Sequence, residues 1–105
     1  MARVAFRLKL RSEAIQAYDE AHRKVWPELL AVLKEAGISE YSIFRRGTEL
    51  FFCLCVDDFE RAWTKISSTS VDKRWQEEMS SLFAPSEDLV PGERFAMMEE
   101  VFYLK

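Results

Sequence analysis

The run Leu50-Phe-Phe-Cys-Leu-Cys-Val56 constrains this chain more than any other stretch. Successive side chains of a strand point to opposite faces, and here both faces are apolar. A strand of that kind sits in the middle of a sheet covered on each side. Its neighbours follow from the pattern around it. Tyr41-Ser-Ile-Phe-Arg45 reads as a second strand, and Arg46-Gly47-Thr48-Glu49 as the short hairpin joining the two. In Val4–Leu10 the residues Val4, Phe6, Leu8 and Leu10 share one face against Ala5, Arg7 and Lys9, which predicts a half-buried strand. Phe95 to Leu104 reads as a closing strand.

Between the strands the spacing becomes helical. Ser12 is placed to cap a helix beginning at Glu13, with Ile15, Tyr18 and His22 inward and Gln16, Asp19, Glu20 and Arg23 outward. Pro27 disfavours helical geometry at Trp26, so the chain breaks there. A second helix then runs from Pro27 to Ala36, burying Leu29, Leu30 and Leu33, and is closed by Gly37. Phe59 to Ile66 and Val71 to Phe83 read as two further helices separated by Ser67–Ser70. A turn-rich loop, Ala84 to Gly92, follows. The order strand, helices, two strands, helices, strand is the split βαβ or ferredoxin-like arrangement. It is an α+β fold with one antiparallel four-stranded sheet and helices on one face, a single domain over 1–105. The second cover of the Leu50–Val56 strand must then come from outside the chain's own helices. That predicts a homodimer packed sheet to sheet, or a roofed pocket.

Charge narrows the function classes. The net charge is −3 at pI about 5.2, with basic residues dispersed among acids, which argues against a nucleic-acid partner. No apolar run is long enough to cross a bilayer, and the first residues lack a signal-peptide layout. Cys53 and Cys55 sit two apart on one strand, poorly placed to pair, so they read as buried free thiols of a cytoplasmic protein. One histidine with scattered carboxylates provides no compact metal-ligand set.

That histidine, His22, carries the chemical interest. Tyr18, His22 and Trp26 recur every fourth residue on one side of a helix, flanked by Ile15, Val25, Leu29 and Leu33. An imidazole beside apolar surface is either a core histidine with satisfied nitrogens or an acid–base group lining a pocket. Tyr41 and Trp75 are positioned to reach the same space. Phenol and indole rings present flat apolar surfaces with hydrogen-bonding tips, which suits a sugar ring. Phe59 and Trp63 read as core fillers.

The composite pattern Tyr18-x3-His22-x3-Trp26-Pro27-Glu28-Leu29, Tyr41-Ser-Ile, Ser68-Thr69-x-Val71-x2-Arg74-Trp75-x3-Met79 and Glu100-Val-Phe-Tyr-Leu104 resembles the L-rhamnose mutarotase family nearly end to end. The resemblance implies a dimeric ferredoxin-like α/β barrel that interconverts the α and β anomers of L-rhamnose without cofactor or metal. It implies His22 as proton donor, with Tyr18, Tyr41 and Trp75 binding the monosaccharide. Two departures concern the sugar's surroundings. Trp75-Gln76 stands where the family usually has two tryptophans, leaving an amide able to bond a hydroxyl. Ala84-Pro85-Ser86-Glu87-Asp88 stands where the family has an Asn-Pro-Asp-Asn-Ser loop. The competing readings are a mutarotase for a related 6-deoxyhexose, a monooxygenase-like or haem-handling protein on the same fold, and a non-catalytic assembly module.

Overall fold

A computed structural model describes residues 2–86 and 88–105 of the chain. The central strand is β3, Glu49–Val56, between β1, Ala2–Leu10, and β2, Ser39–Arg46, all antiparallel. The β1–β3 ladder runs unbroken from Ala2 opposite Val56 to Lys9 opposite Glu49. Alternation along β3 decides which face is which: Leu50, Phe52, Leu54 and Val56 are buried, whereas Phe51 is exposed and Cys53 and Cys55 are half-buried. The expected burial of both thiols is therefore corrected. They are free, on the face that no helix of this chain covers.

Gly47 turns β2 into β3 with φ +57°, a left-handed value that costs a residue without Cβ little. At its other end β2 carries a bulge: Ser39 pairs with Cys55 but Ser42 with Cys53, and Glu40 takes φ +52°.

The helices pack over the buried face. The chain leaves β1 through a 3-10 turn at Ser12–Ala14, and helix α1, Ile15–Arg23, begins there. Helix formation thus starts later than the sequence suggests. The Ser12 hydroxyl donates to Glu13 Oε2 at 3.3 Å and caps no backbone amide, and the first turn closes through the Ala14 amide on the Arg11 carbonyl, three residues back, at 3.0 Å. The break before Pro27 is as expected. Trp26 is extended at ψ 130° and α2, Pro27–Glu35, starts with proline in its first turn. Gly37, at φ +90°, ends it by donating to the Lys34 carbonyl at 3.0 Å. Leu29 is buried and Leu33 partly so, but Leu30 is largely exposed, contrary to expectation.

Helix α3, Phe59–Ser67, is capped by Asp58, and α4, Ser70–Ser80, by Thr69, whose hydroxyl accepts from the Asp72 amide at 3.2 Å. Helix α4 stops at Ser80, before the expected Phe83, because β1 claims the residues beyond it. Arg11 donates to the Leu82 carbonyl at 2.9 Å, and the short strand β4, Phe83–Ala84, pairs with Lys9 and Leu10.

The fourth sheet position is split. Alongside β4, the strand β5, Ala96–Met98, pairs with Ala5–Arg7 of the same β1. The expected closing strand is thus short, and residues 99–105 have no regular structure. Arg3 fastens that segment by side chains instead of a ladder: its Nε donates to Glu100 at 3.0 Å and its guanidinium lies 3.9 Å from the Tyr103 ring centroid. Arg7 pairs with Asp88 in the preceding loop. Glu87, part of the divergent 84–88 loop, lies outside the described residues.

The core on the helix side centres on Phe6, stacked between Phe52 at 4.7 Å and Phe95 at 4.6 Å, with Leu10, Leu50, Leu54 and Ile66 around it.

Candidate functional site

A cavity of about 920 Å³ opens between the sheet and the helices. Its walls are largely apolar, from Leu8, Val25, Leu29, Leu33, Ile43 and Phe52, and Leu30 reaches it despite its exposure. A few polar groups converge on it, the usual make-up of a small-molecule site.

Tyr18, His22, Tyr41 and Trp75 all line this one cavity, from α1, β2 and α4. On α1 the four-residue spacing stacks the phenol of Tyr18 on the imidazole of His22, centroids 4.1 Å apart. The indole of Trp75 meets the imidazole edge-on at 5.3 Å, and Trp26 backs that indole at 5.2 Å. His22 Nδ1 donates to the Tyr18 backbone carbonyl at 2.9 Å, one helical turn back. A carbonyl can only accept, so the neutral ring carries its proton on Nδ1 and Nε2 is the basic nitrogen. Ring orientation and tautomer are fixed together.

Both phenols hold their protons firmly. Burial pushes the Tyr18 hydroxyl up, with the Asp19 charge adding to it. Burial does the same for Tyr41, reinforced by Tyr18 and by Asp72. They can serve the cavity as neutral hydrogen-bond donors. Next to Tyr18 in the chain, Asp19 is gripped by Arg45 through two bonds, Nε at 2.8 Å and Nη2 at 2.6 Å, tying α1 to β2. The guanidinium holds the Asp19 carboxyl below its usual range.

Other residues in the site lay outside the sequence reading. Trp63, read as a core filler, lines the cavity while meeting Phe6 and Phe95 edge-on at 6.0 and 5.5 Å. Arg94 lines it from the loop before β5 and donates to Ser67 at 3.2 Å. Asp72 is the more consequential omission. It lines the cavity, yet it is 7% exposed, the one buried charged side chain among the described residues. The signal was present: Asp72 precedes Trp75 by three and Met79 by seven, on the inward face of α4. Burial drives its carboxyl above the usual range, opposed by the Gln76 amide and by the Arg94 charge. Gln76 lines the cavity, and its amide is turned to Asp72 Oδ1 at 3.4 Å.

Among the described residues no group of three or more His, Cys, Asp or Glu side chains is close enough to hold a metal ion. No described helix is long and apolar enough to cross a membrane. The arrangement offers one oriented imidazole, two undissociated phenols, one buried carboxyl and aromatic walls, a set suited to proton transfer on a small polyhydroxylated ring.

The whole chain is similar to known proteins. Residues 3–104 match the family model described as L-rhamnose mutarotase. The curated L-rhamnose mutarotase of Shigella flexneri serotype 5b is 33% identical over 105 residues, covering 99% of each chain. The crystal structure of L-rhamnose mutarotase from Formosa agariphila superposes with TM-score 0.79 at 34% identity, over all of both chains. Tetracenomycin F2 cyclase from Streptomyces glaucescens shares the fold at TM-score 0.67 but only 16% identity, covering 100% of this chain and 98% of its own.

Proposed function

This chain belongs to the L-rhamnose mutarotase family, and on that premise we propose that it is an isomerase interconverting the α and β anomers of L-rhamnose. The observation that carries the reading is the imidazole of His22, fixed through Nδ1 and held between Tyr18 and Trp75 in the cavity wall. Mutarotation opens the pyranose at C1, turns the aldehyde and recloses on its other face. Opening needs a proton delivered to the ring oxygen and one taken from the anomeric hydroxyl. The imidazolium form of His22 carries the deliverable proton on Nε2. Positioned acid–base groups contribute on the order of 10²–10⁴ in rate, which suits a reaction that already proceeds in water. Trp75 offers a stacking face to the sugar, and Tyr18 and Tyr41 donate to its hydroxyls.

NMR magnetisation exchange between the anomers of L-rhamnose, with and without protein, tests this. Acceleration that disappears in His22→Ala with the fold intact is the expected result. No acceleration by the wild type removes the reading. Gln76, engaged with Asp72 instead of offering a second indole, favours one variant of it, a related 6-deoxyhexose as substrate. A panel of deoxy sugars in the same experiment separates the two.

The sheet face opposite the helices supports a homodimer. Phe44 and Phe51 oppose each other across β2 and β3 with both side chains exposed, and Met98 of β5 is exposed too. Val101, Phe102 and Leu104 are exposed as well. Burying such a patch against a second copy would remove it from water. The two free thiols fit a reducing, cytoplasmic setting.

A further inference from the structure

Mutarotation moves two protons, and His22 accounts for one of them. We propose that Asp72 is the second proton-transfer group, taking the proton of the anomeric hydroxyl while His22 serves the ring oxygen. The assignment rests on the mutarotase reading above.

Asp72 is the third residue of α4, where an acidic side chain often reaches back to the amide of the capping residue. It makes no such bond here. The Thr69 amide donates instead to the Ile66 carbonyl at 3.1 Å, so helix capping does not explain the carboxyl. Its one side-chain hydrogen bond among the described residues is the long contact from Gln76, made to Oδ1. Every side-chain nitrogen or oxygen that is fully enclosed among the described residues has a partner, so the unbonded Oδ2 retains access to the cavity. A carboxylate kept out of water with one weak donor is expensive to the fold, and a sugar hydroxyl is the donor it lacks. Position agrees. Asp72 lies one helical turn before Trp75, whose indole meets His22 at 5.3 Å, and its charge is felt at the Tyr41 phenol. Imidazole, indole and carboxyl thus line one cavity, open to the same bound ring. The raised affinity of that carboxyl for protons brings it nearer to the working range of a general base.

The step balances without a co-reactant. The O1–H proton passes to Asp72 Oδ2, the O1–H bonding pair becomes the C1–O1 π bond, and the C1–O5 bond breaks. O5 takes the proton from His22 Nε2. After rotation about C1–C2, O5 attacks the opposite face of the aldehyde and returns its proton to Nε2. O1 recovers a proton from the Asp72 carboxyl.

The test is anomer exchange by the full-length wild type, Asp72→Asn and Asp72→Ala, with L-rhamnose at concentrations spanning KM. Asparagine keeps the size and hydrogen-bonding capacity of Asp72 but accepts no proton. The expected result is kcat lower by about 10²-fold in Asp72→Asn, with KM within about threefold, and loss of the limb of the pH profile that follows carboxyl ionisation. Formate added to Asp72→Ala is expected to restore at least about tenfold. A carboxylate that only held a hydroxyl would give the reverse, a raised KM with kcat kept, and that result overturns the proposal. So does Asp72→Ala that stays inactive in formate with its circular dichroism spectrum unchanged. If Asp72→Asn fails to fold, the formate response of Asp72→Ala decides alone. If neither variant folds, formate cannot restore a rate and the proposal is withdrawn in favour of a structural carboxyl. A wild type inert on L-rhamnose overturns the family reading and this assignment together, whereas an active wild type with an undiminished Asp72→Asn overturns the assignment only.

Discussion

The Nδ1 of His22 donates to the main-chain carbonyl of Tyr18, 2.9 Å away on the same helix. The bond lies within one helical turn, so it holds the imidazole through any movement of neighbouring elements. It leaves Nε2 for proton exchange. His22→Asn keeps a donor able to reach that carbonyl and removes the titrating nitrogen. Exchange between the anomers is expected to fall at least about 10²-fold in this variant, close to the loss in His22→Ala. An asparagine variant within threefold of the wild type would show that ring placement, not proton transfer, is what His22 supplies.

Trp75 has two roles that substitution separates. On the proposed function its face takes the sugar, and its contact with His22 steadies the imidazole. In Trp75→Phe a flat ring remains, so KM is expected to rise only a few-fold. Trp75→Ala removes ring and support together and is expected to raise KM about tenfold or more and to lower kcat as well, aromatic contacts being worth about 0.5–1.5 kcal/mol beyond their area. Full saturation curves on both variants check the division.

Asp72 links stability to pH. Burial gives its carboxyl a higher pKa folded than unfolded. Below the unfolded value both states are protonated and nothing is lost. As pH rises from the unfolded towards the folded value the unfolded chain ionises first, and the fold pays a growing penalty, constant above the folded value. Asp72→Asn removes that penalty. Its melting temperature is expected to exceed the wild type's by about 2–5 °C at pH 8, with the difference shrinking towards pH 3. Melting curves at both pH values check this. An equal difference at both would mean that charge is not the cause.

The open face of the sheet is testable by mass in solution. Phe51→Lys places a charge opposite Phe44 on the exposed face, on a strand whose other face stays buried. The wild type is expected to elute at twice the chain mass by size exclusion with light scattering, and Phe51→Lys at the chain mass with unchanged secondary structure. A wild type that is already a single chain would remove the dimer.

The sequence made the scaffold legible where local chemistry and pattern agree. The proline at Pro27, the glycine at Gly37 and the Gly47 turn each have one conformational outcome, and the structure shows it; the Leu50–Val56 run, apolar on both faces, marked the central strand but not which face the helices cover. What escaped depends on partners distant in the chain. Helix α4 ends at Ser80 because Leu10 and Arg11, seventy residues earlier, draw Leu82 and Phe83 into the sheet. Apolar alternation past Met98 cannot reveal that β5 ends there and that Arg3 holds the following segment through side chains instead of a ladder. In the site, the spacing of Tyr18 and His22 was readable on one helix. The spacing that puts Asp72 on the inward face of α4 was readable as well, but a carboxylate there looks like an interruption until the fold shows a cavity beside it.

The split fourth strand has a consequence for how such a protein can change over time. The chain leaves β1 after β4 and returns to the same strand at β5, so both ends of the intervening segment are anchored to one rigid element. That segment carries Arg94 to the rim of the cavity. Insertions, deletions or substitutions within it need not disturb the ladder on either side. Selection, natural or in the laboratory, can thus revise what enters the cavity while the scaffold that orients the imidazole is inherited intact.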